Sequence, residues 1–162
     1  MEIRYLSPND DLYEVSSIYE KSWKSAYNGI LPQNYLESIP AGRWAESVNR
    51  NGMYNLVATE NGHIIGTCGF CCSRWENYSD YGEIVSIYFL PEYTGKGLGK
   101  YLLYKAIEEL EKTGYKSVIL WVLEENFRAR RFYENNGFIF SGEYMENVIG
   151  GKEVREVMYI RR

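Results

Sequence analysis

Three glycines at alternate positions, Gly95, Gly97 and Gly99, interleave with Lys96, Leu98 and Lys100. Glycines so spaced remove the side chains that would hold a ligand away from the backbone, and they open dihedrals closed to other residues. From there Leu98, Leu102, Leu103, Ala106, Ile107 and Leu110 recur at helical spacing, while Lys100, Lys105, Glu108, Glu109, Glu111 and Lys112 fill the other face. The glycines therefore open an amphipathic helix. Free N–H groups at a helix start, the positive end of its dipole and two lysines make an anion site, and phosphate is its natural occupant. Two common nucleotide signatures fail here. A P-loop ending at Gly99-Lys100 would need glycine at Thr94 and Ser or Thr at Tyr101; a dinucleotide fingerprint would need glycine at Lys100 or Leu102.

The element before the turn must aim it. Ile84 to Leu90 is a β-branched and aromatic run of strand length, and Pro91, lacking an N–H, stops it. Strand, stop and turn together, Pro91-Glu-Tyr-Thr-Gly-Lys-Gly-Leu-Gly99, resemble the coenzyme A signature of the GNAT family of N-acetyltransferases. That signature is an apolar strand followed by Pro-x-x-Gln/Arg-Gly-x-Gly-Ile/Leu-Gly/Ala. Thr94 stands where the family has Gln or Arg. A second stretch is similar to the family too: after a strand over Lys116 to Leu123 come Asn126, Ala129, Phe132, Tyr133, Gly137 and Phe138. Asn126 also reads as a helix N-cap and Gly137 as a helix end.

The resemblance implies an α/β (α+β) fold, a mixed and mostly antiparallel central sheet flanked by helices, with the strands ending near Leu90 and Leu123 splayed apart. It implies acetyl-coenzyme A as donor, lying in that gap. Its pantetheine arm would pair with the backbone of Ile87, Tyr88 and Phe89. Its pyrophosphate would sit on Thr94, Gly95, Lys96, Gly97, Leu98, Gly99 and Lys100, and Asn126 would contact the arm. A bulge in the first strand would free an N–H for the thioester oxygen. Glu83 occupies the strand position that carries the base in some members. Others place a glutamate where this chain has Trp121, which cannot act as one. Tyr133 matches the family tyrosine that protonates the departing sulfur. Strict alternation puts Glu83, Val85, Ile87 and Phe89 on one face. Glu124 and Glu125 are the alternatives to Glu83.

The remaining segments fill in the frame. Glu2 to Leu6 reads as a strand, and Ser7-Pro-Asn-Asp as a turn capping a helix from about Asp10 that carries Leu12, Val15, Ile18, Tyr19 and Trp23 on one face and ends at Asn28-Gly29. A short helix begins at Ile30, and a third spans Gly42 to Asn49. The stretch around Trp23, Tyr27 and Pro32 resembles the first helices of small-molecule family members, where this region walls the acceptor pocket; Trp23, Tyr27 and Tyr35 are the substrate-side candidates. Asn61-Gly62 joins the strands Tyr54–Glu60 and His63–Cys72 in a type I′ hairpin, which leaves His63, the only histidine, in solvent. Ser73 to Tyr81 is a loop bordering the cleft. Phe138 to Arg161 reads as a hairpin about Ile149 to Lys152.

With 162 residues, 45% of them hydrophobic, the chain is one domain with enough apolar material for a full core, a single acetyltransferase domain over residues 1–162. A net charge of -4 argues against a nucleic-acid binder and suits a cationic substrate. No run approaches membrane-spanning length and no apolar leader opens the chain, so the sequence reads as cytoplasmic, without a membrane partner. Cys68, Cys71 and Cys72 fall on one strand, where they cannot pair well, and one histidine does not make a zinc site; they read as reduced thiols and no metal is expected. A homodimer is left open. The function expected from the resemblance is direct transfer of acetyl from acetyl-coenzyme A to a primary amine, a small cationic amine such as a polyamine being preferred. A peptide or protein amino group is the other acceptor class. A noncatalytic acyl-coenzyme A sensor stays open because of Thr94.

Overall fold

The computed structural model describes residues 1–162. In chain order they form β1 (Glu2–Tyr5), α1 (Leu12–Ala26), α2 (Gln33–Ser38), α3 (Ala45–Val48), β2 (Tyr54–Glu60), β3 (His63–Cys72), β4 (Gly82–Phe89), α4 (Gly99–Lys112), β5 (Val118–Leu123), α5 (Phe127–Asn135), β6 (Ile139–Ile149) and β7 (Lys152–Arg161). The strands make one sheet in the order β1-β2-β3-β4-β5-β7-β6. Every neighbouring pair is antiparallel except β4 and β5.

Local chemistry accounts for most boundaries. The Asp11 carboxylate caps α1 by accepting from the Tyr13 N–H. Asp10, one residue earlier, instead accepts from the Ser7 N–H at 2.7 Å and from both ends of the Arg4 guanidinium at 2.7 and 2.8 Å, so it anchors β1 rather than the helix. Asn61 and Gly62 take φ of 51° and 82°, the left-handed pair that a type I′ turn requires. His63 lies beyond them in solvent, its Nδ1 3.8 Å from Glu14. Cys68 and Cys71 are buried, Cys72 is exposed, and all are free thiols.

Helices cover both faces of the sheet. On one, α4 lays Leu102, Leu103, Ala106, Ile107 and Leu110 against Ile84, Val118, Leu120 and Val122. On the other, Val15, Ile18 and Tyr19 of α1 pack with Val48, Val57 and Ile64. Truncating any of the fully buried leucines of α4 to alanine is worth about 2–5 kcal/mol, enough to place this packing among the main supports of the fold.

Two irregularities lie at the centre of the sheet. β4 and β5 pair only at Gly82–Val118, Glu83–Ile119 and Ile84–Leu120; beyond that both strands continue without pairing to each other. On the other edge of β4, Gly69 faces Ser86 while Phe70 faces Ile84, so Val85 is an extra residue, a bulge. The bulge corrects the alternation expected from the sequence. Ile84, Ile87 and Phe89 belong to the α4 side. Ser86 meets the Tyr19 hydroxyl, and Tyr88 meets Trp23 and Tyr27, on the α1 side. Glu83 contacts Trp75, which packs on Trp121 on that same α1 side, so its companions along the strand are Ser86 and Tyr88 rather than Ile87 and Phe89.

Candidate active site

The site is built where the sheet opens. Past Ile84 the edge of β4 that faces β5 has no ladder partner; the Phe89 carbonyl is taken by the Ser22 hydroxyl at 2.7 Å, and the rest of that edge, alongside Ile87, Tyr88 and Phe89, is left unpaired by β5 and could meet an extended ligand. The turn Pro91–Tyr93 then leads into the glycines. Gly95 and Gly97 have φ of 82° and 75°. A Cβ on Gly97 would meet nothing within 4 Å, so the turn is open to solvent on that side. Leu98, the residue before α4, caps nothing with its side chain, which leaves the first N–H groups of the helix without a side-chain acceptor. Lys96 and Lys100 are exposed, each lying over a nearby tyrosine ring. Thr94 turns its hydroxyl back to the Leu90 carbonyl at 3.2 Å. Arg128 of α5 reaches the same turn, its guanidinium 3.4 Å from where a Gly95 Cβ would lie. An open strand edge, a left-handed glycine turn and an arginine beside it fit a phosphorylated, extended cofactor arm.

Glu83 lies below this groove, 1% exposed. Its carboxylate is fully engaged. Oε1 accepts from Arg74 Nη2 at 2.7 Å and Trp75 Nε1 at 3.3 Å, and Oε2 accepts from the Arg74 N–H at 3.0 Å and Nε at 3.2 Å. A buried charge persists only with such partners. Beside it a cavity of about 280 Å³ is walled by Trp75, Val85, Trp121, Met145, Asn147 and Glu156.

Above the bulge, Tyr88 is held by Trp23 Nε1 at 3.1 Å and by the Tyr27 hydroxyl at 3.3 Å. Trp23 stacks edge-on to Tyr27 at 4.9 Å and tilts against Trp44 at 5.2 Å. Burial drives the phenols of Tyr27 and Tyr88 upward, Tyr27 to about 12. Tyr133, on α5, faces the same opening from the α4 side, and burial followed by the nearby Tyr88 and Cys68 pushes its phenol well above the ordinary value. It therefore stays a neutral O–H donor. Asn126 spends its side-chain oxygen on the Ala129 N–H, capping α5, and its amide nitrogen is left to donate elsewhere.

Trp23, Tyr27 and Tyr88 are thus gathered at the α1 side of the opening, with Tyr133 across from them and Glu83 below. Tyr35 packs with Trp23 and Tyr27 against the cluster of Leu31, Leu36, Leu123 and Val154, and its ring also lies on Gly150 of the β6–β7 turn. Sequence reasoning passed over Arg74, Arg128 and Glu156. Arg74 and Glu156 come from a loop and from a distant strand, with no local pattern to mark them. Arg128 carried a faint signal, a cation in the helix that comes after a coenzyme-like motif.

Residues 12–138 match the model of the acetyltransferase (GNAT) family. The chain belongs to that family. Among its relatives, the spermidine N(1)-acetyltransferase of Thermoplasma acidophilum is 31% identical over 147 residues, covering 85% of this chain and 88% of that protein. The ribosomal protein bS18-alanine N-acetyltransferase of Haemophilus influenzae is 36% identical over 107 residues, 64% and 69% of the two chains. The crystal structure of the PaiA N-acetyltransferase of T. acidophilum, in complex with coenzyme A, superposes with a TM-score of 0.77 at 25% identity over 99% of this chain and 98% of that one. The mixed, mostly antiparallel sheet with its splayed pair is the family architecture, and the activity is N-acetyl transfer with acetyl-coenzyme A as donor. The two relatives act on different acceptors by name, a polyamine and a protein. No helix of the chain is long and apolar enough to cross a membrane.

Proposed function

We propose that the chain acetylates a primary amine of a small cationic acceptor, a polyamine being the type case. The observation that carries this reading is the cavity beside the sheet opening, which joins two indole walls to the Arg74–Glu83 pair and to the Glu156 carboxylate, the one acid there without a cation, and so suits an alkylammonium. The name of the T. acidophilum relative and the acidic balance of the chain point the same way.

When bound, acetyl-coenzyme A supplies the activated thioester. Backbone groups of Ile87, Tyr88 and Phe89 hold the extended arm, with the Asn126 amide beside it. The turn from Thr94 to Lys100, through Gly95, Lys96, Gly97, Leu98 and Gly99, receives the pyrophosphate. The extra residue at Val85 would free an N–H for the thioester oxygen. An alkylammonium with a pKa near ~10 has no lone pair at neutral pH, so the acceptor must lose a proton before it reacts. Glu83 takes that proton through water, the incoming ammonium competing with the half-exposed Arg74 for the carboxylate. Tyr133, a buried neutral phenol, would donate a proton to the departing sulfur. Trp23 and Tyr27 wall the acceptor side, and Tyr35 supports the loop between them and the β6–β7 turn.

The test is free-thiol release from acetyl-coenzyme A against spermidine, aminoglycosides, amino acids and short peptides. Turnover should be highest with spermidine. Glu83→Gln and Tyr133→Phe should each reduce it about 100-fold with coenzyme A binding retained. Preference for a peptide would move the acceptor to the protein class. Full turnover in both variants would remove the two assignments, and coenzyme A binding without turnover on any amine would favour a sensor.

A further inference from the structure

Glu156 sits on β7 opposite Leu123 of β5 and Met145 of β6, at the end of the strand that splays from β4. Alternation along β7 sends Val157 and Tyr159 into the α4 side. Val154 and Met158 go to the other face, and Glu156 lies between them on that face, with Trp121 and Tyr88. It lines the same cavity as Glu83. After burial and their tyrosine neighbours, its negative charge is the smallest of the causes that raise the Tyr27 and Tyr88 phenols.

Its partners distinguish it from the other carboxylates nearby. Glu83 is paired with Arg74 at 2.7 Å, Glu125 with Lys152 at 3.0 Å, and Glu124 and Glu146 share Arg155 at 3.8 and 3.2 Å. Glu156 accepts one hydrogen bond, from the Asn147 amide at 2.6 Å, and has no cation. A partly buried carboxylate held by a neutral amide retains most of its pull on a positive charge. Trp121, whose Nε1–H is a buried donor without an acceptor, lines the cavity as well. The rings of Trp75 and Trp121, packed on each other at 5.0 Å, wall the cavity beside Glu156.

We propose that Glu156 is the residue that recognises the acceptor, forming an ion pair with one of its ammonium groups inside the cavity and so selecting cationic amines over neutral ones. This rests on the acceptor being a small cationic amine. It assigns Glu156 to acceptor binding, apart from the proton transfer given to Glu83 and the donor-side contacts of the glycine turn.

The experiment is calorimetric titration of spermidine into the coenzyme A-saturated protein, for the wild type, Glu156→Gln and Glu156→Asp, with coenzyme A affinity and melting temperature measured alongside. Glu156→Gln should weaken spermidine binding roughly tenfold or more at unchanged coenzyme A affinity, and Glu156→Asp should recover part of it. In the thiol-release assay the loss should fall on KM rather than kcat. Spermidine binding within twofold of wild type in Glu156→Gln would overturn the assignment. So would a wild type that binds coenzyme A and takes up no spermidine, which leaves acetyl transfer standing and removes only the ammonium site. Failure of the wild type to bind coenzyme A would sink both.

Discussion

Glu83 is a carboxylate 1% exposed in the fold, and Arg74 is what makes its burial tolerable. The guanidinium is half-exposed, so water screens one side of the pair, but the carboxylate behind it depends on Arg74 for three of its four hydrogen bonds. One of those three comes from the backbone and survives a change of side chain. Arg74→Ala should therefore cost about 1–3 kcal/mol, with the melting temperature falling by several degrees in a thermal melt. Glu83→Gln should cost less, since it leaves a cation that reaches solvent rather than a stranded buried anion. Equal losses in the two variants would mean that the pair is not asymmetric in this way. Glu83 itself was legible in the sequence because it stands at a fixed place in a motif. Arg74 was not, because it lies in the aperiodic loop Ser73 to Tyr81 and meets Glu83 only once the chain has turned back. The neighbours that share a face with Glu83 were equally hidden, since the extra residue at Val85 belongs to the pairing of two strands and leaves no mark on either alone.

At the scale of elements, the glycine turn separates two requirements that are usually mixed. Gly99 is a packing glycine: a Cβ there would lie 3.2 Å from the Phe132 ring. Gly97 is conformational, with open space around it and a φ of 75°. Gly97→Ala should thus cost about 1–2 kcal/mol of local strain without a clash. A turn that relaxes out of the left-handed region would swing its N–H groups away from the phosphate, and coenzyme A affinity should fall about tenfold in a calorimetric titration. Unchanged affinity would show that the turn does not hold the pyrophosphate. Elements of this kind were the most readable part of the chain. The Asn61-Gly62 hairpin, the Asn126 cap, the helical period of α4 and the proline stop after β4 are written in neighbouring residues, and each lies where those residues put it. The short β4–β5 ladder was expected from family resemblance alone, for nothing in either strand says where pairing should cease.

At the scale of the whole molecule, one contact joins segments far apart in the chain. Lys152, at the start of β7, donates to the Ile30 carbonyl at 2.6 Å, across 122 residues of chain, and to Glu125 at 3.0 Å. Next to it Gly150 packs so tightly on the Tyr35 ring that no larger residue fits, and φ there is 60°. The β6–β7 hairpin is thereby strapped to the connection between α1 and α2, on the acceptor side of the opening and away from the glycine turn. Hairpin and loop were each legible, the first in Gly150-Gly151 and the second in Asn28-Gly29, but their meeting is a property of the folded sheet order, which sets β7 beside β5. The strap lies on one side of the groove, so loosening it should act on one substrate only. Lys152→Ala removes a charged hydrogen bond worth about 1.5–3 kcal/mol at most, less here because the lysine is partly in water. It should raise KM for the acceptor a few-fold, roughly 3–10, while coenzyme A affinity stays within twofold of wild type. A parallel loss of coenzyme A affinity would mean that the hairpin supports the whole groove rather than its acceptor wall.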